Sequence, residues 1–448
     1  MADYLFFSRD TSLFMEFGDV VWKLPVLDGY SFSQATNAVE ITLNEMEAST
    51  GGSRRGRRAF NNSLAPADWS FQTYARPFKA AGAALGTGSA DTNAYIHAIE
   101  EALWAAMAGA DTYASAVFKR GTNTVHGTPS ADINEFDFGQ SNFSTLGTFN
   151  LYFVVGDRGT SNTLGFRVYK LEGCTVNEAT VDFEIDGIAT ISWSGNANNI
   201  TDHTANTIVD AAAPTSNGSQ TNKFAGVSAG TTKDLAIGDV FIDNDNGDQL
   251  QVCTAIGSTP TFTGFVNEKT TTVDSGSFIR NRLTQLAITV ANQDPDGDGT
   301  DELQASYDLT LTGGSITITN NNTYITPEEL GVVNNAIGHV TGTRTVGGNF
   351  TCYLTDTSSD TNASQDFFND MKKITNVVTN SFGLKFRIGG NTAATPRLQF
   401  DLGTCHVEIP THSIEDVISL DTTFSALPST IGGTDEVKIG YAVDTAFS

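Results

Sequence analysis

The sequence predicts a mainly β protein: two tandem copies of one β domain, each with a flanking α-helix, separated by a small β insertion. Three observations carry that expectation. Residues 27–46 recur in degraded form at 311–330. Apolar residues alternate with polar ones along most of the chain, the period of two that a strand with one buried face requires. The composition, with 43 Gly and many Thr, Ser and Asn beside 29 Phe, suits strands joined by turns more than helices.

Laid on one another without gaps, the two stretches keep Leu27, Gly29, Ser31, Asn37, Ile41, Thr42 and Glu45 as Leu311, Gly313, Ser315, Asn321, Ile325, Thr326 and Glu329. Phe32 becomes Ile316 and Ser33 becomes Thr317, replacements that a half-buried strand tolerates. Further matches follow in the same order: 71–74 with 350–353, and 169–176 with 400–407, which sets Cys174 against Cys405. Trp193 and Ser194 then answer Phe424 and Ser425. The period is far too long for a solenoid, so it reads as one domain duplicated within the chain. The expected divisions are 1–198 for the first copy, 199–275 for the insertion and 276–448 for the second copy.

In the first copy Leu24, Val26, Tyr30 and Phe32 alternate as one strand, and Val39, Ile41 and Leu43 as another. The Gly- and Arg-rich run 51–58 reads as a long exposed loop. Trp69, Phe71 and Thr73 resume the alternation, and Pro77 closes that strand. Tyr95, Ile96, Ile99, Leu103 and Met107 follow capping residues at 91–93 and stop at Gly109, which predicts the clearest helix of the chain. Its counterpart in the second copy is the stripe Phe367, Phe368, Met371, Ile374 and Val378. Residues 121–137 read as a strand-poor linker before three more alternating runs, around Phe149, Phe166 and Val181. The insertion matches neither half, carries an Asn246-Gly247 hairpin signal and is expected on the outside. The second copy starts near 278–283 and ends on Val437, Ile439, Tyr441 and Val443, a last strand with no evident equivalent in the first copy.

Acidic residues outnumber basic ones by 51 to 25, a formal charge of −26, which argues against a nucleic-acid clamp. No apolar run reaches the roughly 18 residues of a membrane helix, and residues 1–10 lack the basic and apolar regions of a signal peptide, so synthesis and assembly in a cytoplasm are expected. Four cysteines without CxxC spacing read as buried small hydrophobes. Six scattered histidines show no paired-ligand spacing, and no GxSxG, Walker or GxGxxG motif opens a helix. Residues 294–302 place Asp294, Asp296, Asp298 and Gly299 as a calcium loop does, but Ala305 stands where the bidentate carboxylate belongs, so a solvated acidic loop is expected. Catalytic, cofactor-binding and metal-ligating residues are therefore left unassigned, with no cofactor and no enzymatic role expected. The strongest polar signal is Arg54, Arg55, Arg57 and Arg58, whose guanidinium groups in so acidic a protein are expected to bridge to carboxylates of a neighbouring subunit.

Segments 21–33 (VWKLPVLDGYSFS), 53–61 (SRRGRRAFN), 69–78 (WSFQTYARPF) and 342–354 (GTRTVGGNFTCYL) together resemble the major tail tube proteins of long-tailed bacteriophages. The likeness spans both copies and leaves out the insertion. It implies a β-sandwich or barrel-like domain with a flanking helix, rings whose inner strands join into a continuous β-barrel, and stacking of rings into a tube that conducts DNA at ejection. Single-domain subunits of this family form six-membered rings, so two fused copies imply three chains per ring, a pseudo-hexamer. Closing a ring also satisfies strand edges that would otherwise invite aggregation. The implied partners are further copies of the chain, neighbouring tail proteins, and genomic DNA passing without specific binding; no membrane is implied. Asp28 and Glu40 are expected among the lumen-facing acids, because an acidic wall repels a polymer with one phosphate per roughly 1.7 Å. Excising 200–274 is expected to leave the tube intact if the insertion is merely displayed. The alternative is another β-rich virion component, a baseplate, tube-initiating or decoration protein. A secreted glycan-binding protein or hydrolase would need a signal peptide and paired carboxylates beside aromatic platforms, and neither is evident.

Overall fold

Alternating aromatic, β-branched and hydroxyl residues make strands of most of the chain in the computed structural model, which describes residues 5–41, 58–80, 95–109, 133–138, 146–156, 165–221, 223–228, 230–243, 249–266, 278–294, 298–301, 303–326, 336, 338–356, 363–372, 382–390, 392 and 395–443. The first half holds β1 (Ser12–Phe17), β2 (Val20–Leu24), β3 (Ser31–Ile41), β4 (Arg58–Tyr74), β5 (Pro77–Ala80), β6 (Tyr95–Ala98), α1 (Glu101–Met107), β7 (Ile133–Asp137), β8 (Phe149–Gly156), β9 (Phe166–Asp182), β10 (Thr190–Ala197) and β11 (Asn199–Asp202). A middle segment carries β12 (Thr207–Asp210), β13 (Gln220–Thr221), β14 (Thr232–Lys233), β15 (Val240–Asp243), β16 (Gln249–Ala255), β17 (Thr261–Phe262) and β18 (Gly264–Val266). The second half holds β19 (Gln285–Val290), β20 (Ser306–Asp308), β21 (Leu311–Thr319), β22 (Thr323–Ile325), β23 (Gly338–Val340), β24 (Thr345–Tyr353), α2 (Ser364–Met371), β25 (Phe382–Ile388), β26 (Arg397–Val407), β27 (Thr411–Ser413), β28 (Ser419–Ala426) and β29 (Lys438–Ala442).

Hydrogen-bonded neighbours run β2-β1-β8-β9-β10-β4-β3 in the first half and β20-β19-β25-β26-β28-β24-β21 in the second. The agreement extends to single residues. Phe149 lies opposite Cys174, a register shift follows, and Leu151 then meets Leu171; Phe382 lies opposite Cys405, the same shift follows, and Leu384 meets Leu402. In both places the cysteine thiol donates to the carbonyl three residues back, Cys174 to Leu171 at 3.5 Å and Cys405 to Leu402 at 3.8 Å. All four cysteines are buried, and burial pushes the Cys352 and Cys405 thiols up to about 12.

Strand register moves one of the expected correspondences. Phe71 pairs with Trp193 while Phe350 pairs with Thr422, so Thr422 rather than Phe424 stands where Trp193 does. A slip of two residues preserves which face a side chain takes, which is why the aromatic match misled. At the next position Trp69 faces Gly195 on one pair of strands, and Gly348 faces Phe424 on the other. Each pair holds one large ring and one glycine, with the strands exchanged, so the same volume is filled from opposite sides.

The last strand acquires a counterpart. β11 pairs with β9 across Tyr169 to Glu172 just as β29 pairs with β26 across Arg397 to Asp401. β29 carries a further neighbour, because Ile133–Asp137, expected as linker, is a strand laid along it. The helix expected from Tyr95 is shorter: Tyr95–Ala98 pairs with β5, and α1 begins only at Glu101, whose carboxylate accepts the Ala98 N–H at 3.0 Å. Tyr95 and Ile96 fit a helical stripe, but an unpaired edge at β5 offers them a ladder, and the ladder wins. The caps proposed at 91–93, and Ile374 and Val378 of the second helix, lie outside the described residues, as do Leu43 and Asn246-Gly247. The two strands expected around Phe32 and Val39 are one, β3.

The middle segment forms a four-stranded sheet, β12-β15-β16-β17. One side of it closes a small core of Ile208, Phe224, Leu235, Phe241 and Cys253. The other buries Val209, Val240, Ile242, Leu250 and Val252 against Phe14, Val21, Tyr152, Val154, Phe166 and Val168 of the first half. β18 then adds in parallel to β2, Gly264 opposite Val20. The segment is thus bound to the first half by a common core and a common sheet.

α1 ties the first half to the second. Trp104 packs edge-on against Trp193 and Phe400, and its Nε1 donates to the Tyr441 hydroxyl at 2.9 Å. Tyr441 in turn donates to Glu100 Oε1 at 2.7 Å, and the Arg76 backbone N–H donates to the same oxygen at 3.2 Å. Burial outweighs these donors and raises the Glu100 carboxyl to about 7. Between the ordinary value of 4.5 and about 7 the folded state therefore holds the extra proton, so stability falls as pH rises through that window and the loss is complete above it. Glu100→Gln is expected to be more stable relative to the parent at pH 8 than at pH 5, by about 3 kcal/mol, in urea unfolding at the two pH values. A difference that does not change with pH would contradict this.

Candidate functional surface

In the layer β3-β4-β10-β9-β21-β24-β28-β27, paired residues share a face of the sheet. One face is core: Phe71, Trp193, Ala179, Ile318, Val346 and Ala426 follow one another across the strands, all buried. The opposite face is hydroxyl, amide and carboxylate. Gln72, Ser192, Thr180 and Thr317 form one row, Asp182, Ser315, Asn349 and Thr423 the next, and Thr351, Asp421 and Thr411 a third.

Cross-strand pairs bind this face together. Gln72 Nε2 donates to Ser192 Oγ at 3.0 Å, the Thr180 and Thr317 hydroxyls lie 3.0 Å apart, and Thr351 Oγ1 donates to Asp421 Oδ1 at 2.8 Å. Asn196 Nδ2 donates to Asp68 Oδ1 at 2.6 Å, and Thr423 Oγ1 donates to Glu408 Oε2 at 3.0 Å. Asp68, Glu178, Asp182, Glu408 and Asp421 give the surface its sign, and none of its described side chains is Lys or Arg. Partial burial, with the Glu184 charge close by, raises the Asp182 carboxyl above its ordinary value. Such a face offers a negative wall with no cationic side chain among those described on it.

Of the residues singled out in the sequence, Asp28 borders this face. It sits exposed in a turn with Gly29 at φ 97°, beside a depression lined by Ser70, Gln72, Glu178, Ser192 and Ser194. Glu40 is exposed near the far end of β3, past two irregularities in the β3–β4 register. Arg54, Arg55 and Arg57 lie outside the described residues; Arg58 opens β4 opposite Ile41. The Asp294 carboxylate accepts the N–H groups of Asp298 and Gly299 at 3.2 and 2.8 Å, which closes its loop from within. Among the described residues no group of three or more His, Cys, Asp or Glu converges as metal ligands do, and no helix is long and apolar enough to cross a membrane. The five wall acids went unassigned in the sequence, although the alternation of Asp182 and Glu184 with Val181 and Phe183 already marked that strand as two-faced.

No family model matches the chain. Over 424 residues, 94% of this chain and 71% of the relative, it is 27% identical to the tail tube protein pb6 of Escherichia phage T5. That likeness, over nearly the whole chain, supports a phage tail tube protein. As a tail tube protein it is a structural component of the virion tail, assembling with its own copies.

Proposed function

We propose that three chains of this tail tube protein, assembled in the host cytoplasm, close into one ring of six similar β blocks, that such rings stack, and that the acidic polar face lines the channel for DNA. One observation carries the reading: the strand order β3-β4-β10-β9 is followed, across the β9–β21 ladder, by β21-β24-β28-β27. A block joined head to tail to a copy of itself is a heterologous contact, which generates a ring when the rotation closes. The common pairing order and the shared Cys bulge support two copies of one domain in the chain.

On this reading Asp28 and Glu40 join Asp68, Glu178, Asp182, Glu408 and Asp421 on or near the wall, while Arg54, Arg55, Arg57 and Arg58 reach carboxylates of a neighbour. DNA exposes one phosphate per roughly 1.7 Å, and a basic wall would bind it by counterion release; an acidic one leaves it free to slide without specific binding and without chemistry. Electron microscopy of the purified protein is expected to show rings or tubes with threefold symmetry, six similar blocks per ring and a negative channel. Monomers at high concentration, sixfold rings of whole chains, or a positive channel would contradict it.

A further inference from the structure

We infer that each chain-to-chain seam of the ring is a second version of the β9–β21 ladder, formed by 409–414 of one chain and 30–35 of the next. Ser31 then stands opposite Ser413, Phe32 opposite His412 and Ser33 opposite Thr411. This register rests on the ring reading above and deepens it.

The internal seam supplies the template. Ser315 pairs with Asp182, Ile316 with Val181, Thr317 with Thr180 and Thr319 with Glu178. Its ends are marked by the Phe183 N–H to Gly314 O at 3.0 Å and the Asn320 N–H to Asn177 O at 2.8 Å. The equivalent residues follow from strands common to both blocks. β10 holds Thr180 opposite Ser192 and Asp182 opposite Thr190, while β28 holds Thr411 opposite Asp421 and Ser413 opposite Ser419. On the other side Ser31 meets Ser70 on β4 as Ser315 meets Asn349 on β24. Among the described residues β21 and the end of β9 have a strand on each side, whereas β3 has only β4 and β27 only β28. The two single-sided edges are the ones that repetition of the block would join.

Side chains at those edges suit the pairing. The Thr180–Thr317 hydroxyl pair becomes Thr411–Ser33. The apolar pair Val181–Ile316 becomes His412–Phe32, two rings on adjacent strands. Phe183, which covers Gly314 in the internal seam, is replaced by Ile414, 80% exposed in the single chain and placed to settle on Tyr30. Pro410 takes the position of Ala179. Hydrogen-bonded positions alternate along an antiparallel pair, so the bonds at Asn177 and Phe183 make Ala179 another bonding position. Proline has no N–H to give there. The seam between chains therefore lacks one bond that the internal seam makes, which weakens it and discourages slipped pairing at an open edge.

Thr180 and Thr317 form a non-bonded pair, with Cα atoms about 4.5 Å apart in an antiparallel ladder, inside the range a disulfide spans. Ser33→Cys combined with Thr411→Cys is therefore expected to link neighbouring chains on mild oxidation, giving a covalent series that stops at the number of chains in one ring. Thr180→Cys with Thr317→Cys should link within one chain, and the slipped combination Ser33→Cys with Ser413→Cys should leave chains unlinked. The four native thiols are buried and do not compete. Tubes in micrographs without the Ser33–Thr411 link, or with equal linking in the slipped combination, overturn the register and leave the ring reading standing. Absence of both rings and links, with the internal link still forming, overturns both.

Discussion

Excising residues 203–263, with a short linker between β11 and β18, is expected to give insoluble protein in place of a slimmer tube subunit. The sequence alone pointed the other way, to a displayed segment whose loss the tube would survive. What reverses the expectation is the set Phe14, Val21, Tyr152, Val154, Phe166 and Val168, which share one buried cluster with the middle segment's own Val209, Ala225, Val240, Ile242, Leu250 and Val252. At about 1.5–3 kcal/mol per large apolar side chain, uncovering them costs on the order of 10 kcal/mol. That is the size of a typical domain's entire stability. It also leaves a contiguous apolar patch of the kind that drives aggregation. The check is the soluble yield of the excised protein, followed by microscopy of whatever remains soluble; full yield with normal rings would mean the segment is dispensable after all.

Gly195→Ala is expected to destabilise the protein by more than about 3 kcal/mol, a large effect for one added methyl. A Cβ at Gly195 would run into the Thr175 carbonyl oxygen and lie 2.9 Å from Cε2 of Trp69. The carbonyl belongs to β9 and cannot give way without breaking the ladder that β9 makes with β10. Trp69 is held too, by its stack on Phe71 at 5.1 Å and its Nε1 bond to the Asn196 carbonyl at 3.3 Å. Gly403→Ala is the control, because a Cβ there meets nothing within 4 Å. Urea midpoints of the two variants against the parent decide the matter, and equal midpoints would show that the strands can part at Gly195.

The two-sidedness of one strand of the candidate surface is legible in the sequence, and what is not legible shares one cause. Val181 and Phe183 against Asp182 and Glu184 declare a strand with an apolar and an acidic side, because side-chain period is local. What faces the acidic side depends on which strand lies next to β9, and that strand, β21, is more than a hundred residues away in the chain. Asp28 stands in the recurring stretch and is legible there; nothing near Asp421 and Glu408 in sequence sets them beside Thr351 and Thr423.

By itself the sequence determined the β class, the paired stretches around Ser31 and Ser315, the burial of Cys174 and Cys405 at matching places, and the negative charge. These follow from alternation, spacing and composition, which act over a few residues at a time. Only the tertiary structure decided that Thr422 rather than Phe424 stands in for Trp193, that Tyr95–Ala98 is strand before α1, that β11 serves as the first half's last strand, and that the middle segment shares a core with β1, β2, β8 and β9. Each of these is a choice between partners distant in the chain. A two-residue slip or a helix-to-strand exchange leaves the local apolar pattern unchanged, so only the competition for buried surface and open strand edges can select among them.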